Sequence, residues 1–156
     1  MSINVTSPIT GSAQTGFTSP SWVVVPDTAP PGNPGEQVAV SSGTGTIAGV
    51  TFHSIASPFT INFTRAANLR VLGSPNPVTG VVSNVPKNSF TVVTRKGMLP
   101  LAGQPFQVGI LRTEGQIPAG CDTTDPANVR ALYSAHIGAL NQQSAGMGDM
   151  AINGIL

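Results

Sequence analysis

Two segments in the middle of the chain alternate apolar and polar residues with a period of two, and this pattern constrains the fold most. Both are typical of strands with one buried and one wet face, as in an antiparallel sheet covered on one side. In the first segment, the apolar side is Phe59, Ile61 and Phe63, and the polar side is Thr60, Asn62 and Thr64. In the second, the sides are Phe90, Val92 and Thr94 against Thr91, Val93 and Arg95.

Other β-prone runs extend this pattern in both directions along the chain. The predicted additional strands are Ile3–Thr6, Ser21–Val25, Gln37–Ser41, Ile47–His53, Leu69–Leu72, Val78–Val85 and Phe106–Thr113. In the last of these, Phe106, Val108 and Ile110 face one side, and Gln107, Leu111 and Thr113 face the other. The proline- and glycine-rich segment Asp27–Gly35 is predicted to be an exposed loop.

The C-terminal part of the chain changes to helical spacing. Asp125-Pro126 predicts a helix start, with the aspartate as N-cap and the proline at the first helical position. Apolar residues then recur at three- and four-residue intervals, Gly146 is a predicted stop, and Asp149–Ile155 is a predicted second helix. Strands followed by helices within 156 residues indicate one α+β domain.

Charged residues make up only 8% of the chain, against about 25% in an average soluble domain. With a net charge of +1, colloidal repulsion is weak, which favours a surface shared with copies of the same chain. The single cysteine, Cys121, excludes an intrachain disulfide. We expect a protein made in the cytosol, because the N-terminus does not resemble a signal peptide and no apolar window is long enough for a membrane helix.

Every charged residue between Phe63 and Thr113 is a cation. The run comprises Arg65, Arg70, Lys87, Arg95, Lys96 and Arg112. A positive sheet in an almost neutral chain indicates a polyanionic partner, and nucleic acid is the first candidate. The alternative is that these cations only solubilise the sheet and pair with the acidic ends of the chain.

The residue types needed for catalysis are scattered rather than clustered. Asp122 and Asp125 are better explained by helix capping than by acid–base chemistry. His53 and His136 are isolated, so no metal site is predicted. Cys121 has no assignable base; it is either an inert thiol or an intersubunit disulfide partner. We therefore expect no enzyme, no metal and no cofactor.

Several stretches resemble the coat proteins of single-stranded RNA bacteriophages, the leviviruses. They are Ser57–Ile61, Asn68–Gly73, Asn76–Gly80, Thr94–Gly97, Ile117–Gly120, Asp125–Asn128, His136–Leu140 and Gln143–Gly146. The order of these stretches, with strands first and helices last, carries the resemblance. It covers most of the chain and is strongest from Ala56 to the end.

The resemblance implies an N-terminal β-hairpin, a five-stranded antiparallel sheet and two C-terminal helices. The corresponding segments are 1–55 (hairpin and loops), 56–120 (sheet core) and 125–156 (helices). It also implies a homodimer in which each helix covers the other copy's sheet, and an icosahedral virion shell assembled in the bacterial host cytoplasm. The inner face of such a shell binds and packages viral RNA, and an RNA hairpin bound there represses replicase translation.

Combined with the strand phases, the resemblance yields expected roles for individual residues. The expected RNA-binding residues are Thr60, Asn62, Thr64, Arg70, Thr91, Arg95 and Gln107, with Lys87 and Lys96 as candidate phosphate contacts. Arg65 and Arg112 are in phase with the apolar faces and are expected at edges or in pairs. The expected dimer interface is Val129, Leu132, Tyr133, Ile137 and Leu140. The alternative function is a β-rich assembly or adhesion subunit, of the tail or pilus type, without RNA binding. No membrane partner is expected.

Overall fold

The computed structural model describes residues 3–156, which form six strands followed by three helices. The strands are Ile9–Thr10 (β1), Thr18–Asp27 (β2), Gly35–Thr46 (β3), Phe59–Arg65 (β4), Lys87–Met98 (β5) and Gln107–Pro118 (β6). The helices are Cys121–Thr124 (α1), Pro126–Gln142 (α2) and Ser144–Asn153 (α3). The predicted α+β class, with strands first and helices last, is confirmed.

All six strands belong to one antiparallel sheet in the order β1-β2-β3-β4-β5-β6. The expected separate N-terminal hairpin is not separate, because Ile9 pairs with Trp22 and so joins β1 to the main sheet. The segment 1–55, expected to hold hairpin and loops, supplies three of the six strands. The sheet is therefore one strand wider than expected.

Four predicted strands are absent: Ile3–Thr6, Ile47–His53, Leu69–Leu72 and Val78–Val85. In two of these segments, backbone groups form hydrogen bonds outside a regular strand ladder of their own. The backbone N–H and carbonyl of Arg70 are bound by the Asn88 side chain at 2.7 and 3.0 Å instead of by a neighbouring strand. Near the end of the 47–53 run, the His53 N–H donates to the Val40 carbonyl at 2.9 Å. β-prone residues without an available sheet edge thus remain loops.

Directly opposed residues of an antiparallel pair share a face, so the register assigns every strand residue to a side. We call the side that carries Phe59, Ile61, Phe63, Phe90 and Val92 the apolar face, and the other side the open face. The core lies on the apolar face, where Val24, Val38 and Val40 are buried. The segments outside the sheet that pack against this core include Val5 and Phe52.

Helix α2 begins at Pro126 as predicted, whereas α3 begins at Ser144, five residues before the predicted start at Asp149, and α1 was not predicted. Pro126 starts α2, yet the Asp125 carboxylate accepts hydrogen bonds from Asn128 Nδ2 at 2.7 and 2.9 Å instead of capping the helix. Gly146, the predicted stop, lies inside α3, and that helix ends at Gly154 with a φ of 70°. Gln14 donates to Ser144 and Thr15 to Asp149, so α3 is fastened to the loop between β1 and β2.

Candidate nucleic-acid interface and assembly surfaces

The open face is mainly polar with a weak positive charge, although exposed Val25, Val108 and Ile110 also lie on it. In register across it lie Gln37, Thr60, Asn62, Thr64, Ser89, Thr91, Arg95, Arg112, Glu114 and Gln116. Its cations are Lys87, Arg95 and Arg112, and its carboxylates are Asp27 and Glu114. A hydrogen bond from Gln37 and one from the Thr28 backbone lower the pKa of Asp27, so this carboxylate stays charged. The six-cation run of the sequence is thus divided between the two faces and the loops.

The expected RNA-binding residues of β4 and β5 lie on the open face but differ in accessibility. Thr64, Thr91 and Arg95 are half-buried, whereas Thr60 and Asn62 are only 6% and 3% exposed. Asn62 also donates from Nδ2 to Gln37 Oε1 at 3.3 Å. The flanking side chains in register therefore shield Thr60 and Asn62, and an incoming ligand meets Arg95, Thr91 and Thr64 first.

The predicted faces of Gln107 and Arg112 were wrong, although Arg112 does lie on an edge strand, as expected. Gln107 is opposite Met98 on the apolar face, and Arg112 is opposite Val93 on the open face. The error arose in β6, which carries apolar side chains on both faces, so its phase cannot be read from Val108, Ile110 and Leu111. The informative signal was the polar alternation of Arg112, Glu114 and Gln116.

Arg70, an expected RNA-binding residue, and Lys96, a candidate phosphate contact, do not lie on the open face. Arg70 is exposed in the loop after β4 and is not part of the sheet. Lys96 lies on the apolar face, where its ammonium is 5.2 Å from the centre of the Phe59 ring and donates to Thr51 Oγ1 and the Gly97 carbonyl, both at 2.8 Å. Burial lowers the pKa of Lys96. This lysine fastens the segment before β4 to the sheet.

The remaining two cations of the sheet divide between the faces. Lys87 is exposed on the open face at the start of β5. Arg65 is on the apolar face opposite Phe90, as expected, and donates to the carbonyls of Ala66 and Ala67 at 3.0 and 3.4 Å. Lys87, Arg95 and Arg112 are consequently the cations available to a ligand on the open face.

A cleft of about 700 Å³ separates α2 from the apolar face. Its walls are mainly apolar and include Phe63, Phe90, Val92, Ile117, Val129 and Tyr133. Tyr133 lies directly over Gly115, where a Cβ atom would collide with its hydroxyl, and burial raises the pKa of this tyrosine. Of the expected interface residues, Val129 and Tyr133 thus face the chain's own sheet.

The other three expected interface residues of α2 differ in exposure. Leu132 and Ile137 are 56% and 57% exposed, and Leu140 is half-buried. Leu132 and Ile137 are five residues apart, which places them about 140° apart around the helix, on either side of Val129 and Tyr133. Apolar side chains of this size are costly to leave in water, so both are candidates for burial in an assembly.

The outer edge of β6 is a second uncovered surface. Among the described strands β6 pairs only with β5, so one side of a 12-residue strand retains unpaired backbone groups. Its exposed side chains include Val108, Ile110 and Leu111. A long apolar edge of this kind is a template for pairing with another strand.

Within residues 3–156, no cluster of three or more His, Cys, Asp or Glu side chains is arranged to hold a metal ion. No helix in that range is long and apolar enough to span a membrane.

Comparison with known proteins identifies the family. No family model matches the chain, and no curated protein sequence matches it. Among solved structures it is similar to the chain described as "Virus-like particle of bacteriophage ESE020", with 49% identity and a TM-score of 0.95. The likeness covers 99% of this chain and 100% of that one. The chain therefore belongs to the family of bacteriophage coat proteins that includes the subunit of that particle.

Proposed function

We propose that this capsid protein forms a homodimer, assembles from dimers into an icosahedral shell in the bacterial cytoplasm, and packages single-stranded viral RNA against its open face. Repression of replicase translation through a bound RNA hairpin is part of the proposal. The observation that carries the RNA role is the juxtaposition of Arg95 with hydroxyl and amide side chains on a sheet face that the core leaves uncovered. The role is structural, and no catalytic step is assigned to it.

The charges of the open face suit weak, repeated contacts with phosphate. Three cations against two carboxylates leave little net charge on each copy. Cations supply affinity for the RNA backbone, while threonine, serine and glutamine side chains can contact sugars and bases. Many copies in one shell turn weak single contacts into strong overall retention of the RNA.

The dimer is supported by the two uncovered surfaces of the single chain. A two-fold axis beside β6 pairs its free edge with the same edge of a second copy, so that two sheets become one. The same rotation brings α2 of each copy towards the other's apolar face. Burial of Leu132 and Ile137 against the second copy would contribute about 1.5–3 kcal/mol each to the free energy of association.

Expression of the chain alone in bacteria tests the proposal, with Arg95→Glu as the variant and Arg130→Glu as the control. Arg130 is exposed on α2, so the control makes the same charge change away from the open face. We expect shells from all three proteins, with RNA content reduced only in Arg95→Glu. For dimers binding single-stranded RNA, the slope of log affinity against log salt should fall by roughly 0.7 in that variant.

Equal RNA content in the Arg95→Glu and Arg130→Glu particles would contradict RNA binding by the open face. Soluble monomers without shells would contradict assembly itself and would favour the tail or pilus alternative.

A further inference from the structure

We propose that Arg112 and Glu114 fix the register in which two copies pair through β6, with each Arg112 opposite Glu114 of the second copy. The inference rests on the dimer of the proposed function. Two β6 strands could pair in several registers, and these two residues would select one of them.

Symmetry restricts the alignments. When a strand pairs with its own copy in an antiparallel arrangement, the two-fold axis is perpendicular to the sheet and each face remains continuous. Opposed residues share a face, so the axis must pass beside a residue that faces itself. Near the middle of β6 the candidates are Arg112, Thr113 and Glu114.

Charge separates the three candidates. A register centred on Arg112 places two guanidinium groups opposite each other, and one centred on Glu114 does the same with two carboxylates. A register centred on Thr113 instead forms two Arg112–Glu114 pairs on the open face. Opposite charges across a strand pair stabilise and like charges destabilise, so the Thr113 register is favoured.

Side-chain size on the apolar face selects the same register. With Thr113 at the axis, Leu111 faces Gly115 and Ile117 faces Gly109, so each large side chain meets a glycine. Leu111 is 72% exposed in the single chain and would lie beside Tyr133, which occupies the space over Gly115. A register centred on Arg112 would set Gly109 against Gly115 and leave a gap.

Glu114 is available for this pairing. Its Oε1 accepts a 3.4 Å hydrogen bond from Gln116, which leaves Oε2 for a guanidinium. Arg112 in the dimer would then neutralise a carboxylate, and Arg95 and Lys87 would remain as the phosphate-binding cations of the open face.

Reciprocal charge exchange tests the register. In Arg112→Glu each carboxylate faces another carboxylate, and in Glu114→Arg each guanidinium faces another guanidinium. We expect the apparent dimer dissociation constant, measured by dilution, to rise roughly tenfold or more in each. The double variant Arg112→Glu/Glu114→Arg should recover most of the loss. Single variants that dimerise like the natural chain would overturn the proposal.

Disulfide trapping tests it without altering charge. In a Cys121→Ser background, Thr113→Cys should cross-link two copies under mild oxidation, because the two Cα atoms at the axis would be about 4.5–5.5 Å apart. Leu111→Cys, on the same face, should not. Cross-linking of Leu111→Cys instead, or of neither, in a protein that still forms dimers would overturn the register and leave the proposed function intact. Loss of dimers and shells in the natural chain would refute the proposed function itself.

Discussion

At the scale of single residues, Gly97 marks the closest approach between β5 and the segment that leads into β4. A Cβ atom there would lie 2.6 Å from Ser57 Oγ and 2.7 Å from Ser57 Cα, and Ser57 is itself buried. Backbone atoms cannot move aside as the end of a flexible side chain can. The segment before β4 therefore depends on this glycine and on Lys96, whose ammonium holds Thr51.

We expect Gly97→Ala to lower the free energy of unfolding by about 1–3 kcal/mol, because it overpacks this contact. Gly73→Ala is the matched control, since a Cβ atom at Gly73 meets nothing within 4 Å. Urea unfolding of both variants measures the difference. Equal stability of the two would show that the segment around Ser57 yields without cost.

The raised pKa of Tyr133 should make the free energy of unfolding depend on pH. Burial raises the pKa of its hydroxyl, so the folded chain keeps a proton that the unfolded chain releases. This contribution is present below the ordinary tyrosine pKa of about 10 and is lost as pH rises through the folded-state value.

The measurement compares the natural chain with Tyr133→Phe in urea unfolding from about pH 8 to about pH 11. Lys96 titrates in both proteins, so its effect cancels in the difference. We expect the natural chain to lose stability relative to Tyr133→Phe above about pH 10. A constant difference across this range would contradict burial of the Tyr133 hydroxyl.

At the scale of the elements, sequence periodicity was informative where the two faces of a strand have different surroundings. In β4 and β5 one face meets the core and the other remains polar, so the phase read from the sequence is the phase of the sheet. In β6 it failed, because this edge strand carries exposed apolar residues on both faces. The same cause misplaced Gln107 and Arg112.

Helix α2 gives a prediction at this scale. Ile137 is 57% exposed in one chain, so Ile137→Asn should leave the single subunit folded but weaken the dimer if α2 covers the other copy. The expected loss is about 1.5–3 kcal/mol of association free energy per buried isoleucine. Ala131→Asn, on the side of the helix opposite Val129 and Tyr133, should have little effect on the dimer dissociation constant measured by dilution. Equal behaviour of the two variants would exclude Ile137 from the interface.

At the scale of the whole molecule, the class and order of elements were predictable and the pairing of the sheet was not. The change from period two to helical spacing after Gly120 was enough for the α+β class. The joining of β1 to the sheet, and the loops at 47–53 and 69–72, depend on which edges are available, and that is a property of the assembled chain. The residues of the open face could be predicted in β4 and β5, where the sequence alternation gives the correct face, but not in β6.

The strand order has a consequence for the timing of assembly. Each described strand pairs only with the strands before and after it in the chain, so the sheet can grow one strand at a time as the ribosome delivers it. β6 is the last strand to be synthesised, and its outer edge comes into existence only when the rest of the sheet is in place. If copies pair through β6 as proposed, a nascent chain would present its pairing edge only after the rest of the sheet has formed, which would limit association between half-made subunits.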